Sequence, residues 1–207
     1  MLARLLLTAL LSALAFAGVA ETEYKEGVHY EIIKPAQPTD DPDRIEVTEV
    51  FWYGCPHCYD FEPYLEKWLE AKPDDVNFVR IPGVFNRSWV PHARAFYAAE
   101  ALRVQDKIHL PLFNAIHKHR QKVFDQASIA ALAAANGIDA GDWEKAYSSP
   151  GVDFKVKQAN KRSVGYRITG VPAMIVNGKY RTSGRMAGSN GDMLKVVDML
   201  VDMERGN

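Results

Sequence analysis

Apolar and polar positions change their period along this chain, and each change marks an element. The run Ile45-Glu46-Val47-Thr48-Glu49-Val50-Phe51-Trp52-Tyr53 is rich in β-branched and aromatic residues, which predicts a strand buried on both faces. Phe61, Leu65, Trp68 and Leu69 then recur at helical spacing, so a helix is expected from Cys55 to about Lys72, bent at Pro63 and ended by Pro73-Asp74-Asp75. Residues 76–81 alternate as a second strand. Upstream, residues 28–33 read as a short strand, followed by a loop that Pro35, Pro38 and Pro42 mark. Glu49 interrupts its strand: it either faces solvent at an edge or is buried with a partner, for which Arg80 is the candidate.

From about Pro91 to Gly165 the pattern becomes almost wholly helical, with segments at 92–104, 107–119, 126–136, 142–148 and 154–165. Asp125 or Ser128 is placed to cap the third, and Gly137 follows its end. Five helices between strands predict an inserted helical subdomain. Phe96, Tyr97, Phe113, Trp143 and Phe154 are expected to form its core rather than a ligand cage, and His117-Lys118-His119 a polar helix end. Residues 168–182 read as strand, Asn177-Gly178 turn and strand, with Pro172 near the start, and residues 191–204 as an amphipathic helix. This order of elements belongs to a mixed α/β layout.

At the beginning of the chain, Arg4 precedes an apolar run from Leu5 to Phe16, and Ala17-Gly18-Val19-Ala20 supplies small residues before Glu21. This is the pattern of a secretory signal peptide over residues 1–20, short for a membrane span, with cleavage expected after Ala20. An exported protein works where disulfides persist. The 207 residues carry 25 Lys and Arg against 26 Asp and Glu, a net charge of −1, and loss of Arg4 with the leader makes it one unit more negative. No basic face points to nucleic acid.

The only two cysteines sit in one motif, Cys55-Pro56-His57-Cys58, at the predicted strand-to-helix junction. The first turn of a helix offers unpaired N–H groups and a partial positive charge, and both favour a thiolate. Cys55 is the residue placed to feel them. Pro56 suits the first helical position, and Cys58 falls about one turn further in, where side chains are less exposed. Reactive cysteines of this kind have pKa values lowered by roughly 1 to 5 units, about 1.4 to 7 kcal/mol. A helix dipole contributes at most about 2 kcal/mol. The rest is expected from the N–H groups of His57 and Cys58 and from the His57 imidazole. A stabilised thiolate makes the dithiol the favoured form and the disulfide an oxidant. A purely structural bridge closing so short a loop would restrict the unfolded chain by only about 2 kcal/mol. Zinc would need two further ligands, and His92, His109, His117 and His119 form no second ligand pair.

Phe51-Trp52-Tyr53-Gly54-Cys55-Pro56-His57-Cys58-Tyr59, Gly170-Val171-Pro172-Ala173-Met174 with Val176-Asn177-Gly178-Lys179-Tyr180, and the helical insertion between them resemble the thioredoxin fold, and more closely the DsbA family of periplasmic thiol:disulfide oxidases. The likeness covers nearly the whole chain after the leader, and the combination is specific where a lone Cys-x-x-Cys is not. Members of that family are themselves reference cases of low-pKa, strongly oxidising thiols, so that property comes with the resemblance. The fold it implies is an α/β thioredoxin fold at 21–85 and 166–207, interrupted by a helical subdomain at 86–165.

The resemblance implies catalytic Cys55 and Cys58, with Cys55 the nucleophile and Cys58 its buried partner. Pro56, His57 and a buried Glu49 would tune them. Pro172 would be cis beside the disulfide, and the backbone of Val171 would pair with an extended substrate peptide. Arg80 stands where lysine is usual, and arginine titrates far less readily, so it would hold Glu49 charged more firmly. The partners implied are unfolded or folding exported proteins with free thiols, and a quinone-linked membrane reoxidase of the DsbB type. The chain itself is expected in the periplasm as a monomer, with no metal and no cofactor. The alternatives are an exported reductase or isomerase on the same scaffold, or a non-enzymatic peptide- or zinc-binding module.

Overall fold

A computed structural model of the protein describes residues 24–206, so the signal-peptide reading of residues 1–20 lies outside the described residues. The uninterrupted run of β-formers folds as β2, Ile45–Phe51, with β1, Glu31–Ile32, before it. Helix α1, Pro56–Ala71, follows β2 and leads to β3, Val76–Pro82. Then come α2 (Val90–Leu102), α3 (Gln105–Phe113), α4 (Gln126–Ala135), α5 (Ala140–Tyr147) and α6 (Pro150–Gly165). The chain closes with β4 (Ala173–Val176), β5 (Tyr180–Thr182), the short α7 (Gly184–Ala187) and α8 (Asn190–Arg205).

The sheet runs β1-β5-β4-β2-β3, with β2 parallel to β3 and antiparallel to β4. Because strand side chains alternate, the central strands divide their residues between two cores. Val47, Met174 and Val176 pack with Phe61, Leu65 and Trp68 of α1 and with Met193, Val197 and Leu200 of α8. Val50, Ile81 and Ile175 belong to the other core, with Ile108, Phe113 and Trp143 of the helices between β3 and β4. Both faces of β2 are therefore covered, as its composition requires. Each such apolar side chain contributes about 1.5–3 kcal/mol by leaving water.

Several expectations change. The strand expected at 28–33 contracts to Glu31–Ile32, because residues 27–29 form a turn in which Gly27 N–H bonds to Tyr30 O. The strand expected from 168 begins only at Ala173, after a loop that ends in Pro172, whose peptide bond with Val171 is cis. Asn177 and Gly178 form the expected turn, both with positive φ, and the Lys179 N–H closes it on Val176 O. The third helix of the insertion carries a capping box in which Asp125 accepts from Ser128 N–H. Phe154 is not core: it is 61% exposed, because α6 turns Val152, Val156 and Ala159 inward instead. The segment expected as one helix at 107–119 ends α3 at Phe113 and continues as a single π-helical turn, Asn114–Lys118.

Candidate active site

Cys55 is the N-cap of α1, in extended conformation, and Pro56 occupies the first helical turn, where its missing N–H costs no bond. The preceding turn is closed by Cys55 N–H on Trp52 O at 3.0 Å. Cys55 retains 9% exposure whereas Cys58 has none, and both are free thiols. The Cys55 S–H donates to Val171 O at 3.3 Å, so the loop before Pro172 lies against the sulfur although 116 residues separate them in sequence. His57, Val171, Pro172, Ile168, Arg185 and Met186 line one cleft of about 780 Å³ beside it.

The two sulfurs differ in charge preference. The Cys55 thiol is pulled down from 9.0 to about 6, first by the S–H of Cys58, then by the amides of Cys58 and His57 and the charge on His57, against the opposing effect of burial. The amides and imidazole are legible in the sequence; the Cys58 S–H, which ranks first, is not. Burial pushes the Cys58 thiol well above its ordinary value, and the neighbouring Cys55 and Glu49 add to this.

Beneath them lies a buried polar network. Glu49 is fully buried in β2, not at a solvent edge, and accepts from Arg80 Nε at 2.9 Å across the parallel β2–β3 pair. The same guanidinium meets Glu62 of α1 at 2.9 Å and the half-exposed Glu66 at 3.3 Å. One cation thus serves two buried carboxylates, and Glu49 Oε1 and Glu62 Oε1 have no hydrogen-bond partner. Burial pushes both carboxyls up to about 7 despite Arg80. Arginine therefore does not hold Glu49 firmly charged, because burial outweighs its attraction. His109 Nε2 approaches Glu62 Oε2 to 3.2 Å without hydrogen-bond alignment, and its Nδ1 lies 3.0 Å from Tyr53 O–H. Burial, then Arg80, pushes His109 down to about 3, so the ring is neutral.

The fold thus brings Cys55, Pro56, His57, Cys58, Val171 and Pro172 to one place, with Glu49 below Cys58. Sequence reasoning missed Glu62, although Cys58 and Glu62 are four apart and share a face of α1. His109 and His117 carried no sequence signal, since they reach Tyr53 only through the insertion. Trp52, three residues before Cys55, stacks flat on Trp89 at 4.2 Å. Among the described residues, no group of three or more His, Cys, Asp or Glu is arranged to hold a metal ion.

Comparison with known proteins agrees with this geometry. The family model described as the DSBA-like thioredoxin domain matches residues 79–195. The thiol:disulfide interchange protein DsbA of Pseudomonas aeruginosa is 38% identical over 203 residues, covering 97% of this chain and 96% of that protein. DsbA of Azotobacter vinelandii is 40% identical over 187 residues, 90% of this chain and 87% of that one. Among solved structures, the crystal structure of Pseudomonas aeruginosa DsbA superposes with a TM-score of 0.85 at 39% identity, covering 88% of this chain and 95% of the other. The oxidoreductase DsbA of Xylella fastidiosa gives 0.80 at 32% identity, covering 86% of this chain and 96% of its own.

Proposed function

Because the chain belongs to the DSBA-like thioredoxin-domain family and is a thiol:disulfide oxidoreductase with a disulfide oxidase role, we propose that it donates a Cys55–Cys58 disulfide with Cys55 as the sulfur under attack. A client thiolate attacks Cys55 Sγ, the Cys55–Cys58 bond breaks, and Cys58 leaves as a thiolate that takes up a proton. A second client thiolate then attacks the client sulfur of the mixed disulfide. Cys55 departs as a thiolate, the client gains its disulfide, and two electrons remain on the enzyme.

What supports this assignment is the asymmetry of the sulfurs. Cys55 keeps 9% exposure where Cys58 has none, sits at a helix start and prefers the thiolate, which makes it the better leaving group. Cys58 is sealed in and prefers its proton. Pro56 and His57 contribute by opening the helix and by charge, and the Glu49 charge adds to the proton preference of Cys58. The Val171 and Pro172 backbone beside Cys55 would receive an extended client segment by strand addition.

The clients are unfolded or folding exported proteins with free thiols, and a quinone-linked membrane protein of the DsbB type reoxidises the dithiol. The protein acts in the periplasm as a monomer, after loss of residues 1–20. Its thioredoxin-fold domain is 21–85 and 166–207, and the helices α2–α6 make up most of an inserted subdomain at 86–165. The test is trapping and potential together. Offered client peptides that already hold a disulfide, Cys58→Ser should attack through Cys55, expel one peptide thiolate and accumulate mixed disulfides on non-reducing gels, and Cys55→Ser none. The reverse pattern would exchange the two roles, and a reduction potential near the roughly −270 mV of thioredoxin would mark a reductase.

A further inference from the structure

The π-helical turn after α3 plays no part in the exchange described above, yet its side chains reach the residues on either side of Cys55 and Cys58. A turn of this kind is rare and often sits at a functional site. Here His119 N–H bonds to Asn114 O at 2.9 Å, the i to i+5 bond that defines it. His117 Nε2 lies 2.8 Å from Tyr53 O, and since a carbonyl only accepts, the ring nitrogen donates. The same imidazole stacks on Tyr59, with centroids 5.1 Å apart and planes 18° from parallel. Asn114 Oδ1 accepts the Tyr59 O–H at 2.9 Å.

Tyr53 and Tyr59 bracket the motif. Tyr53 lies inside the turn that Cys55 N–H closes on Trp52 O, and Tyr59 N–H bonds back to Cys55 O at 3.2 Å. Gripping both therefore fixes the backbone between them from outside. Tyr53 is held twice, by His117 at its carbonyl and by His109 of α3 at its hydroxyl. The Trp52 ring packs close over Gly54, where an added Cβ would lie 2.3 Å from it.

We propose that Asn114 and His117 are positioning residues, a clamp from the helical insertion that orients the first turn of α1 so that the amides of His57 and Cys58 point at Cys55 Sγ. This rests on Cys55 being the sulfur that clients attack and that departs as a thiolate. Stabilisation of an anion by N–H groups depends on their direction, so loosening the turn weakens the thiolate even where the fold survives.

The experiment compares full-length reduced protein with His117→Ala, His117→Gln and Tyr59→Phe, measuring Cys55 ionisation by ultraviolet thiolate absorbance, the reduction potential against glutathione, and the denaturation midpoint. His117→Ala is expected to lower the thiolate-to-thiol ratio at a given pH at least threefold, a pKa rise of about 0.5 unit. His117→Gln, which keeps an N–H donor but no ring, should recover at least half of that shift while losing as much stability. Tyr59→Phe removes only the hydroxyl and should also raise the pKa, which keeps the test usable if the alanine variant does not fold. Lower midpoints with an unmoved, depressed Cys55 pKa would make the contacts mere packing and overturn the clamp alone. An ordinary Cys55 pKa in the unaltered protein would overturn the Cys55 assignment and the clamp together.

Discussion

Replacing Cys58 by alanine should weaken the thiolate at Cys55 more than any change to His57. The pKa of Cys55 falls from 9.0 to about 6, a stabilisation of about 4 kcal/mol. The S–H of Cys58 is the largest favourable cause, ahead of two amides and the His57 charge. A hydrogen bond to a charged group contributes about 1.5–3 kcal/mol. A thiol is a weak donor, and Cys55 lies at the cleft with 9% exposure, so the lower end applies. Cys58→Ala should then raise the Cys55 pKa by about 1 unit, to about 7. Cys58→Ser keeps a donor in the same place and should stay within about 0.3 unit of the unaltered protein. Thiolate absorbance across a pH titration reads both. A Cys55 pKa still near 6 in Cys58→Ala, with the serine variant no different, would show that the amides and imidazole suffice and that the second sulfur has no electrostatic role.

Further outcomes follow from the buried network and the hairpin. Glu49 has a folded pKa of about 7 against 4.5 unfolded; between those values folded Glu49 holds more protons, so its own contribution to stability should fall as pH rises through that window and level off above it. Glu49→Gln should flatten this slope in urea unfolding measured from acid to neutral pH, and an unchanged slope would contradict a raised Glu49. Arg80→Met leaves two buried carboxylates without their cation and should cost about 3–5 kcal/mol at neutral pH, with the double change to Glu49→Gln recovering part of it. Gly178→Ala places a methyl 2.1 Å from Gln37 O at φ +63°, and should lower stability by more than about 1 kcal/mol in the same urea unfolding, while Gly137→Ala, with open space around it, costs less.

Local sequence determined a good deal of this protein. The β-branched run at 45–51, the helical spacing after Cys55 and the Asn177-Gly178 turn each carry their structure within a few residues, because propensity, periodicity and turn geometry are short-range properties. The Cys-Pro-His-Cys motif announced both its chemistry and its place at a helix start for the same reason. Where neighbours in space decide, local pattern is silent. Glu49 could be assigned to the interior only once β3 and β4 were seen to flank β2, and Glu62 and His109 join its network across α1 and α3. Phe154 reads as core by residue type, yet the rotation of α6 leaves it in water. The approach of Val171 to Cys55 and of His117 to Tyr53 depends on closing loops of more than sixty residues. Such contacts are rewarded only after the whole core has formed, so no local pattern encodes them.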